Sequence, residues 1–180
     1  GTKLISVSKK RPLPIRLVKF FLVVWKASLR CDFIYVQNAM AAGLPVALAS
    51  ILRKKPFVLK FVGDEAWERA TQHKLIDTKL EEFLKHPEGG LKIRLMMLVQ
   101  GFVLRRASIV TTPSKYLGIA IQKAYRLRPE RVITNYNATE DTEKLPFEPT
   151  RQAHQIMTTA RLVAWKGVDG IIQATAILKP

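Results

Sequence analysis

The residues best suited to chemistry stand at two strand-to-helix junctions. The run Thr159-Ala160-Arg161-Leu162-Val163-Ala164-Trp165-Lys166-Gly167-Val168-Asp169 reads as a strand end, a basic loop and a helix start. Ligands of open α/β sheets bind beyond the carboxyl ends of the strands, and a helix N-terminus at that place favours an anion. Arg161 and Lys166 would add two positive charges there, which suits a diphosphate. Two cations in a loop are also what a solvated surface carries, so spacing alone leaves both readings open. The second junction is Val62-Gly63-Asp64-Glu65-Ala66-Trp67-Glu68. Asp64 and Glu65 could line a cleft there, and Asp64 could equally cap a helix beginning near Glu65. Trp67 reads as a packing residue.

Other reactive side chains form no constellation. His73, His86 and His154 are scattered, without metal-ligand spacing, and no metal site is expected. Cys31 is the single cysteine; it cannot form an intrachain disulfide and reads as structural. With no signal peptide in view, a reducing, cytoplasmic compartment is the expectation. Asn137-Ala138-Thr139 has the form of a glycosylation acceptor, which a cytoplasmic chain would leave unmodified. There is no Gly-Lys-Ser loop of the Walker type.

Elements that would position these residues alternate along the chain. Lys3–Val7, Asp32–Gln37, Pro56–Val62, Ser108–Thr112 and Arg131–Thr134 are short apolar runs that read as strands. Between them Ile15–Leu29, Ala39–Leu52 (firmly from Pro45), Lys74–Lys85, Leu91–Arg106 and Ser114–Tyr125 read as helices. Thr78 and Glu81 have capping-box spacing, and Gly89-Gly90 is a turn. Continuous apolar strands separated by helices predict a parallel sheet covered on both faces. The fold class is therefore α/β, a doubly wound parallel sheet. Residues 138–153 are polar and Pro-punctuated, a linker. The pattern then restarts with a strand, Gln155–Thr159, and a helix, Gly167–Leu178: the first strand and helix of a second domain.

Composition is that of a globular chain, 48% hydrophobic and 24% charged, which argues against disorder. The net charge is +16, and residues 1–60 hold twelve Lys or Arg against the single acid Asp32. Such asymmetry suits an anionic partner, whether nucleic acid, acidic lipid or a phosphorylated ligand, or else a solvated basic face. In Ile15–Leu29, Lys19 and Lys26 share a face amid Phe20, Phe21 and Trp25. A basic, aromatic helix can lie in a membrane interface, although the strand that follows needs a covering helix, and packing is the preferred reading. Leu17–Leu29, the most apolar run, is shorter than the ~20 residues a bilayer needs.

Several stretches resemble, in order, the retaining GT-B glycosyltransferases of family four. Ala42-Gly43-Leu44-Pro45 followed by Leu52-Arg53-Lys54-Lys55-Pro56 looks like a segment of their N-terminal domain. Val110-Thr111-Thr112-Pro113-Ser114 resembles their strand, Pro-Ser, helix element. Pro129-Glu130-Arg131-Val132 through Asn137 resembles the element before their interdomain linker. Thr159–Gly170 resembles the opening of their C-terminal domain, where Gly-Arg-Leu is followed by Lys-Gly; Ala160 replaces the usual Gly. Gly63-Asp64 stands where many members have a His and resembles a subgroup with Gly-Asp-x-Ala-Trp-Glu.

The resemblance implies a GT-B, Rossmann-like architecture. Residues 1–137 would be an acceptor-side domain lacking its first strand, 138–153 the linker, and 154–180 the start of a donor-binding domain. A Gly-rich loop would precede Gly1, and a paired-glutamate motif would follow Pro180. The implied function is transfer of a sugar, with retention, from a nucleotide-sugar donor to a glycan or lipid-linked acceptor. Arg161 and Lys166 would hold the donor diphosphate, and Asp64 would be catalytic on the acceptor side. Gly63, Glu65, Ser114 and Asn137 would line the cleft. No cofactor and no metal are implied, since the nucleotide-sugar is a substrate. Peripheral contact with an anionic membrane fits such acceptors, and residues 1–180 alone are expected to be inactive. The alternatives are a basic nucleic-acid-binding module, which lacks a recognition motif, and a dinucleotide-dependent oxidoreductase, which lacks Gly-x-Gly-x-x-Gly.

Overall fold

A computed structural model of the chain describes residues 4–8, 10, 12–138 and 155–178. Its centre is a four-stranded sheet, all parallel, in the order β1-β2-β3-β4. The strands are β1 (Ile34–Val36), β2 (Phe57–Lys60), β3 (Ile109–Thr112) and β4 (Val132–Thr134). The helices are α1 (Leu13–Ala27), α2 (Gly43–Arg53), α3 (Glu65–Gln72), α4 (Leu80–Lys85), α5 (Gly90–Arg106), α6 (Lys115–Tyr125) and α7 (Val168–Ile177).

Strand order fixes where the helices go. Each step from one strand to the next runs in the same direction, and parallel crossovers are right-handed. The helices crossing between strands therefore collect on one face of the sheet. The register puts Val36, Leu59, Val110 and Val132 in one row across that face. Its Phe57, Leu59 and Val110 are fully buried, in one core with Val46, Ile93, Val103, Leu104 and Ile121. Tyr35 and Ile133 point from the opposite face and are about half exposed, at 50% and 47%. The α/β class and the parallel sheet hold, but full coverage is found on one face only among the described residues.

Local sequence explains the helix ends. Pro14 lies in the first turn of α1 and Pro45 in the first turn of α2, where a missing N–H costs nothing because it has no intrahelical acceptor. Helix α2 begins at Gly43, before Pro45, because a close approach requires glycine there: a Cβ would stand 2.7 Å from the Asn38 carbonyl oxygen and 2.9 Å from Val103 Cγ1 on α5. Helix α1 packs on α2, with the Arg53 guanidinium 3.9 Å from the centre of the Trp25 ring. Phe20 and Val24 meet the core, whereas Leu13, Val18 and Leu22 remain exposed.

Three expected elements differ. Residues 4–8 form no strand. The helix expected over Lys74–Lys85 forms only from Leu80; Lys79 precedes it without a capping hydrogen bond, and Thr78 Oγ1 is buried without a partner. Gln155–Thr159 forms no strand, since no described strand lies alongside to supply a ladder. Helix α7 does form. The linker expected at 138–153 lies, apart from Ala138, outside the described residues, as do Lys3 and His154.

Candidate functional site

The turns after the four strands lie together at the carboxyl edge of the sheet, where an open α/β sheet takes its ligands. Asn38 follows β1, Gly63–Glu65 follow β2, Ser114 follows β3 and Asn135–Asn137 follow β4. Four of the expected cleft residues are thus brought to one edge by topology. Gly63 and Glu65 are half-buried, Ser114 is half-buried, and Asn137 is exposed.

The β2–α3 turn is built around Asp64. Its Oδ1 accepts the Trp67 N–H at 2.9 Å, capping α3. Its Oδ2 accepts from Gln100 Nε2 at 2.7 Å and from the Tyr125 hydroxyl at 2.5 Å. Gln100 Nε2 also donates to the Tyr125 oxygen at 2.7 Å, and Gln100 Oε1 accepts the Glu65 N–H at 3.1 Å. That last bond fixes which way the Gln100 amide points. Asp64 is 1% exposed, so its carboxylate joins α3, α5 and α6 inside the domain instead of facing a substrate. Of the two readings left open by the sequence, the helix cap is the observed one. Burial pushes the Asp64 carboxyl above its ordinary pKa of 3.8, and the hydrogen bonds from Tyr125, Trp67, Gln100 and Ala66 hold that rise back. The Tyr125 hydroxyl is pushed up by burial and by the neighbouring Asp64 charge.

Glu65 is the carboxylate that this network presents. Its Oε1 accepts from Asn38 Nδ2 at 2.9 Å and from the Met40 N–H at 3.3 Å. Asn38 Oδ1 in turn accepts from the N–H groups of Ala41 and Ala42, at 2.6 and 3.2 Å. Glu65 is therefore held from two sides, by its backbone through Gln100 and by its carboxylate through the β1 turn. Partial burial raises its pKa, with Met40 opposing and Glu68 adding to the rise. A Cβ at Gly63 would meet Glu68 Oε1 at 2.5 Å, a contact that the flexible Glu68 side chain can relieve by turning away. Ser114 spends its hydroxyl on the Leu117 N–H, at 3.2 Å, as the cap of α6.

Arg161 and Lys166 are both exposed and flank a short 3-10 turn, Ala164–Lys166. The Val163 N–H donates to the Arg161 carbonyl and the Lys166 N–H to the Val163 carbonyl, at 2.9 and 3.0 Å. Gly167, with φ +62°, leads into α7. The Trp165 ring lies 5.8 Å from the Trp67 ring, which sets this turn beside α3. Trp67 also donates through Nε1 to the Thr78 carbonyl at 3.0 Å, so it packs as expected.

Sequence reading missed Asn38, Gln100 and Tyr125. Gln100 had a signal, as a polar residue within the otherwise apolar stretch Met96–Leu104. Tyr125 and Asn38 had none, because their roles depend on contacts 61 and 27 residues away. Among the described residues no group of three or more His, Cys, Asp or Glu could hold a metal ion. No described helix is long and apolar enough to cross a membrane.

Residues 7–138 match the family described as "Glycosyl transferase 4-like domain". The chain belongs to that family. The matched span takes in all four strands, the Asp64 network and every expected cleft residue; it ends before Arg161 and Lys166. Comparison with curated proteins gives no match. Among solved structures, the chain is similar to a Listeria monocytogenes protein assigned as a UDP-N-acetylglucosamine 2-epimerase, with 15% identity and a TM-score of 0.45. The similarity covers 70% of this chain and 28% of that one, so the chain spans under a third of that protein's length.

Proposed function

We propose that the chain is part of a retaining glycosyltransferase: an acceptor-side domain over residues 1–137, a linker, and the start of a donor-side domain over 154–180. The observation that carries this reading is the family match over residues 7–138, which coincide with a sheet whose carboxyl edge holds Glu65, Asn38 and Ser114. In this reading a nucleotide-sugar gives up its sugar to a glycan or lipid-linked acceptor. Arg161 and Lys166 hold the diphosphate and offset the negative charge that grows on it as the sugar departs. Glu65 and Asn137 face the acceptor side. Asp64, being buried, acts on the cleft only through the position of Glu65. No metal or cofactor takes part.

The test is donor kinetics in the parent enzyme. Arg161→Ala and Lys166→Ala should each lower kcat/KM for the nucleotide-sugar by roughly a hundredfold, the scale for removing one charge-stabilising group. Wild-type donor kinetics in both variants would overturn the clamp. Residues 1–180 alone should transfer no detectable sugar.

A further inference from the structure

The opposite, amino edge of the sheet carries a feature that the proposed transfer reaction does not use. Helices crossing between parallel strands run antiparallel to them, so α2, α5 and α6 all end at this edge. A pocket of about 400 Å³ opens there, lined by Lys54, Lys55, Arg106 and Arg131 together with Ser50, Pro56 and Ser108. Arg131 also lines an adjoining pocket of about 220 Å³, with Arg105, Arg126 and Arg128. The larger volume lies within the roughly 300–1,000 Å³ of small-ligand sites.

Helix ends account for only part of this charge. Basic residues complement the negative end of a helix dipole, worth about half an elementary charge, so three helices present about −1.5 in all. Seven cations line the two pockets. In the segments that build them, residues 50–56, 104–110 and 126–131, the sole acid is Glu130, and it lines neither pocket. Arg53 is drawn away to stack on Trp25. A large positive excess therefore remains in a concavity formed by three different chain segments. Arginine suits bidentate binding of phosphate oxygens.

We propose that the amino edge of the sheet is an anion site for a phosphate group, centred on Arg106 and Arg131 and separate from the carboxyl-edge cleft. A β-strand rises about 3.3 Å per residue, so the four-residue strands β2 and β3 keep the two edges apart. The phosphate has two sources in principle, a soluble polyphosphate or phosphate ester and the headgroup of an anionic lipid.

Calorimetric titration of the full chain with inorganic pyrophosphate at about 20 mM salt, where screening is weak, tests the site. A parallel flotation assay uses vesicles of phosphatidylcholine with and without phosphatidylglycerol. At least one probe should bind, and Arg106→Gln/Arg131→Gln should weaken that binding at least about tenfold, the scale for losing charged hydrogen bonds. Lys19→Gln/Lys26→Gln on α1 removes the same charge outside both pocket linings and should weaken binding far less, because it alters only the long-range field and removes no hydrogen bond to the anion. Arg161→Ala/Lys166→Ala should also retain binding. Pyrophosphate binding with this pattern identifies a soluble phosphate; binding to phosphatidylglycerol vesicles alone, with the same pattern, identifies the headgroup. If neither probe binds, if all three double variants lose affinity alike, or if binding vanishes with Arg161 and Lys166, the site does not exist. Lys55→Gln/Arg128→Gln serves as the second variant should the first fail to fold, as judged by circular dichroism.

Discussion

At the scale of single residues, Asp64 changes meaning between sequence and structure. Its place after a strand and before a helix made a cleft carboxylate and a helix cap equally readable; burial at 1% exposure and donors from three helices select the cap. A buried carboxylate that loses a donor keeps its desolvation penalty, about 1–3 kcal/mol for one unsatisfied group. Tyr125→Phe should therefore lower stability by about 2 kcal/mol in urea unfolding, and Gln100→Leu by at least as much, since it strips Asp64, Tyr125 and the Glu65 N–H together. Neutral effects from both would show that the network contributes no stability. The pH dependence has a definite sign. Because the folded-state pKa of Asp64 lies above 3.8, the folded chain binds the proton more tightly than the unfolded chain. Its contribution is most favourable at low pH and declines as pH rises from about that value through the folded pKa. Wild type should thus lose stability relative to Asp64→Asn over that rise, measured as urea midpoints from acid to neutral pH. Wild type gaining stability relative to Asp64→Asn as pH rises would mean a depressed pKa and refute the assignment.

At the scale of elements, most of the pattern was legible, for reasons that also mark where it was not. Strands β2 and β3 were readable as compact apolar runs, and α6 from Ser114 to Tyr125 nearly to its ends. Two lines of information were missing for the rest. A strand needs a neighbour, so Gln155–Thr159 had the composition of a strand without the ladder. A helix start depends on what the chain meets in space, so α2 begins at Gly43, where the β1 turn crosses α5, and not at the more conspicuous Pro45. Gly43→Ala should test that contact. The added methyl meets Asn38 backbone at 2.7 Å and Val103 at 2.9 Å, and overpacking of this kind costs about 1–3 kcal/mol. The gain in helix propensity, about 1 kcal/mol for Gly to Ala, offsets part of it. Net destabilisation with reduced protection of the Ala41 and Ala42 amides is expected, because both donate to Asn38. A stabilised Gly43→Ala chain would show that α2 can slide away freely, and that the hold on Glu65 through Asn38 is slack.

At the scale of the whole molecule, the charge of +16 that first suggested an anionic partner is a cost to folding as well. Composition gave its size and its weight toward the first third of the chain. It gave no sign that Lys54 and Lys55 would meet Arg106 and Arg131 at one edge, because that meeting depends on strand order, as does the sheet face left partly exposed among the described residues. Like charges stand closer in the folded chain than in the unfolded one, so self-repulsion opposes compaction. Its range is set by salt, about 30 Å at 0.01 M and about 8 Å at 0.15 M. Raising sodium chloride between those limits should therefore raise the urea midpoint, by removing repulsion across the domain while leaving the buried Asp64 network almost untouched. Pyrophosphate at matched ionic strength should raise it further, since a ligand bound only by the folded state adds stability that grows with its concentration. In Arg106→Gln/Arg131→Gln the sodium chloride effect should persist and the additional pyrophosphate effect should largely disappear. General screening and a localised site are thereby separated in one series: if both salts act alike on the wild type, the positive charge acts on stability as a diffuse field and the amino edge holds no special place for a soluble phosphate.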